Sequence, residues 1–234
     1  MPVALITGAS RGLGRATARA LAGRGWSLVV DARDGAGLTD ALRGLPGVIA
    51  VPGDVSDPGH RIELAASVAR LGRLDVLVNN ASSLGTSPLP ALRGYDIDEL
   101  RRVYETNLVA PLALIQLLAS PLTTAGGAIV NVSSDAAVEA YPGWGGYGSA
   151  KAALDQLTAV LAAEEEALRC YAFDPGDMRT DMHQLAFPGE DISDRPEPES
   201  VVPALLRLID ERPPSGRYRV GDLRSSAEKV QVAS

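Results

Sequence analysis

Residues 3–14 read Val3-Ala4-Leu5-Ile6-Thr7-Gly8-Ala9-Ser10-Arg11-Gly12-Leu13-Gly14, and the fold is decided there. A continuous apolar run of this length is the pattern of a strand buried on both faces, as in a parallel sheet. It passes directly into a glycine-rich turn, and the turn opens a segment of helical period. Glycines without Cβ let the backbone approach an anion closely. A helix starting at the same point aims free N–H groups and its positive dipole end at that anion. A glycine cluster alone says little, since many tight turns carry one. Between a first buried strand and a helix, it marks a phosphate cradle.

Outward from this turn the rhythm repeats. Strands are expected at 3–7, 27–32, 48–51, 74–79, 128–133, 169–173 and 217–220, with helices at 12–24, 35–43, 58–71, 97–118, 148–167 and 199–211. Strand alternating with helix implies right-handed crossovers and an α/β fold. The expected architecture is a doubly wound, mainly parallel, Rossmann-like sheet of about seven strands with helices on both faces. No internal repeat and no Pro/Gly/Ser linker divides the chain, so all 234 residues are expected to form one domain. Residues 182–200 break the rhythm, being rich in Pro, Asp and Glu; such a stretch is either a substrate loop or a solvated excursion.

Composition narrows the function classes. A formal charge of −7 argues against nucleic acid or anionic lipid as a partner, although a local basic patch can still hold a phosphate. Cys170 is the only cysteine, so no intrachain disulfide forms; within its apolar stretch it reads as an inert core thiol in a reducing, cytoplasmic compartment. The start has no leader pattern, and no run of roughly 18 uncharged apolar residues is expected to span a membrane. His60 and His183 with one cysteine make no metal-ligand cluster. His183 opens the irregular segment and reads as a surface histidine rather than a substrate contact.

Tyr147 and Lys151 are four residues apart in a helical pattern, so their side chains share a face. A phenol has an ordinary pKa near ~10, and a nearby ammonium is expected to lower it toward the range useful for proton transfer. Ser134 lies thirteen residues before Tyr147, at the end of an expected strand, with Ser133 its rival by adjacency. Residue 111 is proline, which cannot bond the carbonyl of Asn107, so the helix is expected to kink there and leave that carbonyl free.

Taken together, Thr7-Gly8 with Gly12 and Gly14, then Asp54-Val55, Asn79-Asn80-Ala81, Ser134, Tyr147 with Lys151, and Pro175-Gly176 with Thr180 resemble the short-chain dehydrogenase/reductase family in order and spacing. The resemblance runs from Val3 to about Gly221. It implies an oxidoreductase moving a hydride between a nicotinamide cofactor and a carbonyl or alcohol, with Tyr147 as general acid or base, Lys151 on the nicotinamide ribose, Ser134 on the substrate oxygen and Asn107 completing the set. It implies that Thr7 braces the turn and that Gly8, Ser10, Arg11, Gly12, Leu13 and Gly14 line the cofactor. Asp54 and Val55 would hold the adenine, Asn80 and Ala81 would support sheet and cofactor, and Pro175, Gly176 and Thr180 would meet the nicotinamide amide. The family's glycine after Asn-Asn-Ala is Ser82 here, so that turn is expected to differ in backbone shape. A small carbonyl or alcohol is the implied partner, and self-association as a homodimer or homotetramer through the helices around Asn107 and Lys151 is implied as well.

For the cofactor, Asp31 looks at first like the carboxylate that selects NAD(H). The family's discriminating acid, however, lies eighteen residues past the last cradle glycine, at Ala32, and its NADP-type arginine one further, at Arg33. With Arg11 in the cradle, this favours NADP(H) over the alternative NAD(H). Two rival functions use the same fold: an NADP(H)-binding regulator or scaffold without turnover, in which loss of the tyrosine or lysine is expected, and epimerase or dehydratase chemistry, for which little chain remains after Lys151.

Overall fold

The computed structural model describes residues 1–223; residues 224–234, part of the expected domain, lie outside the described residues. Seven strands form one sheet: β1 (Val3–Ile6), β2 (Ser27–Ala32), β3 (Val48–Pro52), β4 (Val76–Asn79), β5 (Ala128–Val132), β6 (Arg169–Asp174) and β7 (Gly216–Arg219). Their order is β3-β2-β1-β4-β5-β6-β7 and every pairing is parallel. The helices are α1 (Gly12–Gly23), α2 (Gly35–Ala41), α3 (Pro58–Leu71), α4 (Ile97–Tyr104), α5 (Ala110–Ala125), α6 (Gly145–Glu164), α7 (Asp181–Ala186) and α8 (Val202–Glu211).

Alternate residues of each strand face opposite sides, which explains why the strands are apolar throughout. Ala4, Ile6, Leu28 and Val30 pack against Leu21 of α1, Leu38 of α2 and Leu205 of α8. Leu5, Val29, Leu77 and Ile129 pack on the other side against Leu64 of α3 and Leu114 and Leu118 of α5. Each of these leucine, isoleucine and valine side chains, fully buried, contributes about 1.5–3 kcal/mol. The expected doubly wound sheet is therefore present. β1 pairs with both β2 and β4, so the strand order reverses beside it and a crevice opens at the carboxyl ends of β1 and β4.

Two helices differ from expectation. The helix expected at 97–118 runs on to Ala125, and between α4 and α5 it widens into a π-helical turn, Glu105–Val109. The cause is Pro111, whose ring nitrogen offers no N–H; the neighbouring Ala110 N–H reaches back to the Glu105 carbonyl instead. The same helix, 29 residues with an 18-residue window of mean hydropathy 1.7, is long and apolar enough by length and composition alone to cross a membrane, a test that the core helix of a soluble protein also passes. Here Leu114, Leu118 and Leu122 are buried against the sheet.

The helix expected at 148–167 is shifted toward its N-terminus and occupies Gly145–Glu164, which places Tyr147 inside its first turn. Consecutive glycines read as loop, but they serve close packing. A Cβ on Gly146 would overlap the Tyr95 ring, and one on Gly148 the Ala136 carbonyl. The segment at 182–200 is not wholly irregular either. Thr180 caps α7, its hydroxyl accepting the His183 N–H at 3.2 Å.

Candidate active site

The crevice at the strand ends is a cleft of about 710 Å³. At one end the first turn is stapled to the end of β4. The Thr7 hydroxyl accepts the N–H groups of Asn80 at 3.0 Å and Ala81 at 2.9 Å, and Asn80 Nδ2 donates to the Thr7 carbonyl at 2.8 Å. Gly8 has φ +69°, and a Cβ there would lie 2.9 Å from Ala81 Cα; one on Gly14 would overlap the Gly8 carbonyl oxygen. Only glycine lets these strands and helix come so close, and the result is a concave backbone surface at the start of α1. Such a cradle fits the phosphates of a nicotinamide dinucleotide.

Asp31 does not face the cleft as a free carboxylate. It is buried, accepts the Gly8 N–H at 2.8 Å and pairs with His60 Nε2 at 3.1 Å. Burial raises its pKa, against the opposing bonds from His60 and Gly8. Arg33, next along the chain after Ala32, is exposed at the cleft rim beside Asp54. Burial pushes the Asp54 carboxyl up, but two bonds from Ser56 and the Arg33 charge outweigh it and leave the pKa lowered.

At the other end Tyr147, Lys151 and Ser134 meet. Tyr147 is buried, and burial pushes its phenol up to about 12, while bonds with the Ser134 and Ser82 hydroxyls pull down and the Asp135 and Asp174 charges push up. The expected lowering by Lys151 is thus not met: desolvation of the phenolate is the largest influence and the pKa rises. Lys151 Nζ lies 5.5 Å from the centre of the Tyr147 ring and donates to the Val132 carbonyl at 2.7 Å. Burial brings its pKa down to about 8, with Asp155 opposing. Ser134, not its buried neighbour Ser133, lies beside the phenol; its hydroxyl donates to Asp135 Oδ1 at 2.9 Å.

Every candidate residue lines this one cleft except Thr7, Gly14 and Asn107, which stand behind its wall. Asn107 is buried in the π-helical turn. Its side chain accepts from the Ser83 N–H and donates to the Ser83 carbonyl, both at 2.8 Å, and takes the Ser82 hydroxyl at 3.2 Å. This pins the segment after Asn80-Ala81. Ser82, in place of the glycine, causes no backbone strain, because among the described residues Arg212 is the only non-glycine with positive φ.

Some residues of the site were missed from sequence. Ser82 reaches the phenol, and Asp135 holds both Ser134 and the Tyr141 hydroxyl, the latter at 3.0 Å. Trp144 forms an apolar wall, with edge contacts to Tyr147 at 5.7 Å. His183, expected at the surface, is buried in the cleft wall and stacks near Phe187 at 4.8 Å, because α7 turns it inward. Nothing local to Ser82 betrayed a role that only tertiary proximity creates, whereas Asp135 acts on Ser134 and Tyr141, one and six residues away. Salt bridges tie the segment following β6 to the cradle helix: Arg11 to Asp181 at 2.9 Å and Arg15 to Glu199 at 3.9 Å.

Comparisons with known proteins agree with this arrangement. Residues 2–191 match the family model described as short chain dehydrogenase. Sepiapterin reductase of Rattus norvegicus is 34% identical over 201 residues, covering 79% of this chain and 77% of that protein. L-xylulose reductase of Homo sapiens is 34% identical over 222 residues, covering 89% and 88%. Among solved structures, an alcohol dehydrogenase from Thermococcus sibiricus, complexed with 5-hydroxy-NADP, superposes with a TM-score of 0.83 at 28% identity, covering 94% of this chain and 95% of that one.

Proposed function

Since the chain belongs to the short-chain dehydrogenase family and is an oxidoreductase, we propose that it reduces a small-molecule carbonyl with NADPH, Tyr147 giving the proton. The observation that carries this reading is that the Tyr147 phenol, bonded to Ser134, and the glycine cradle lie at two ends of one cleft. The bound cofactor supplies the hydride. Its pKa raised by burial, Tyr147 keeps its proton at neutral pH and is placed to give it to the carbonyl oxygen. Ser134 turns its hydroxyl proton from Asp135 to the substrate oxygen and holds it beside the phenol. Lys151, still an ammonium at neutral pH, uses one donor on Val132 and has two more for the ribose hydroxyls. Trp144 and His183 close the wall and limit water.

The preference for NADP(H) over NAD(H) rests on Asp31 being engaged by Gly8 and His60, with Arg33 and Arg11 at the rim where a 2′-phosphate would sit. The complex of the Thermococcus relative points the same way. The reductases above act on different compounds by name, so the substrate is taken only as a small carbonyl. We also propose self-association through α5 and α6, which leave Leu117 and Val160 exposed; light scattering reads it directly. The function itself is tested by following NADPH absorbance with a panel of ketones and aldehydes. Consumption with some of them is expected, and NADH should serve less well; none with any carbonyl counts against the assignment.

A further inference from the structure

Arg217 lies in β7, beyond the residues matched by the family model. Its guanidinium links three parts of the site. Nη2 donates to the Ser134 carbonyl at 2.9 Å and to Asp174 Oδ2 at 2.9 Å, and Nε donates to Asp155 Oδ2 at 2.9 Å. Asp174 in turn accepts the Gly176 N–H at 3.0 Å, so the Pro175-Gly176 turn hangs on the same group. Asp155 lies one helical turn past Lys151 on α6 and is the charge that most favours the ammonium form of that lysine. Arg219 also approaches Asp174, at 3.5 Å, but touches neither Ser134 nor Asp155.

We propose that Arg217 is a positioning residue for the reaction: it fixes the main chain at Ser134, and with it the hydroxyl that holds the substrate oxygen. The inference rests on the carbonyl-reduction reading above. Ser134 lies two residues past the end of β5 in extended conformation, where it caps the 3-10 turn Asp135–Ala137. Its carbonyl accepts the Ala137 N–H of that turn at 3.1 Å and, as its one tie to a distant part of the chain among the described residues, the Arg217 guanidinium at 2.9 Å. A planar fork with fixed donors can satisfy a carbonyl and two carboxylates at once, which a lysine point charge cannot. Without it, Asp155 loses this ion pair, the buried Asp174 is left with Arg219 at 3.5 Å and the Gly176 N–H, and the Ser134 carbonyl is no longer tied to Asp174 at the end of β6.

A double-mutant cycle in the full chain tests this, comparing the unsubstituted protein, Ser134→Ala, Arg217→Met and the double variant for kcat, with NADPH affinity by fluorescence and melting temperature alongside. Loss of Arg217 should lower kcat roughly ten- to a hundredfold where Ser134 is present. The same change should cost less than about threefold in the Ser134→Ala background, because its route to the substrate is already gone. NADPH affinity should fall by less than kcat wherever Ser134 is present, and an affinity loss as large as the kcat loss, which the Asp174 link to Gly176 would produce, overturns the inference. An equal kcat loss in both backgrounds, or none in either, overturns the inference while leaving the function reading intact. Ser134→Ala with unchanged turnover, or an unsubstituted protein that consumes no NADPH, sinks the function reading itself. Should Arg217→Met fail to fold, Arg217→Lys enters the same cycle, with a smaller loss confined to the Ser134 background expected and an equal loss in both contradicting it.

Discussion

The Asp31 carboxylate, at the carboxyl end of β2, accepts the Gly8 N–H at 2.8 Å across 23 residues of sequence. Its other oxygen pairs with His60, so the acid that a ribose could have used instead shapes the cradle. On the NADP(H) reading proposed above, the charges available to a 2′-phosphate are Arg33 and Arg11 at the cleft rim.

It follows that Arg33→Asp should lower the preference for NADPH over NADH in kcat/KM by about ten- to a hundredfold, since it replaces a charge-assisted bond by repulsion. Asp31→Ala should instead destabilise by about 1–3 kcal/mol, removing the bond to the part-buried Gly8 N–H and leaving the buried His60 ring without this partner, and should not change the ratio. Steady-state kinetics with both cofactors, paired with urea melts, separates the two residues; a preference set by Asp31 would refute the assignment.

Lys151 makes stability depend on pH. Its pKa falls from the usual 10.5 to about 8 on folding, so below pH 8 the charge is carried in both states and its burial costs roughly 3 kcal/mol. Between those values the unfolded chain holds the proton more tightly, so stability rises with pH as the cost disappears. Against Lys151→Met, which lacks this titration, the unsubstituted protein should gain stability from pH 8 to 10 in urea melts. A constant difference across that range would contradict the burial of the charge. Tyr147 acts oppositely and later, its raised pKa lowering stability only from pH 10 upward.

The Asn107 side chain makes three hydrogen bonds to Ser82 and Ser83 from the π-helical turn. Asn107→Ala should therefore cost about 1–3 kcal/mol of stability and lower turnover, by freeing the segment that carries Ser82 to the phenol. If thermal melts and kcat both stay at the unsubstituted values, the segment is held by something else.

Much of this was legible from sequence because it depends on short-range pattern. Buried strands, the glycine turn, the one-turn spacing of Tyr147 and Lys151, and the proline at 111 each carry a local physical cause. What stayed hidden depends on groups far apart in the chain. The balance at Tyr147 turned on burial, and periodicity cannot show how much water a wall excludes. The inward turn of His183 depends on the Thr180 cap, and the Ser82 hydrogen bonds, to Asn107 and to Tyr147, exist only once the segment after β4 meets the π-helical turn and α6. Glycines at 145 and 146 read as loop because their role, room for Tyr95 and Leu92, is tertiary.

Arg11 is held by Asp181, both side chains being well exposed. A pair of this kind contributes about 0.2–1 kcal/mol. Asp181→Asn should therefore leave the melting temperature nearly unchanged, yet free Arg11 for the phosphate and tighten NADPH binding by up to about fivefold at low salt. Weaker binding would show that Asp181 supports the cofactor rather than competing for the arginine.

The central claim is that the Tyr147 hydroxyl delivers the proton. Tyr147→Phe removes that oxygen alone and keeps the ring against Trp144 and Lys151. With NADPH and any carbonyl that the unsubstituted protein reduces, kcat should fall by about two to four orders of magnitude while NADPH affinity stays the same. Turnover retained within about threefold, with the cofactor still bound, would contradict the account.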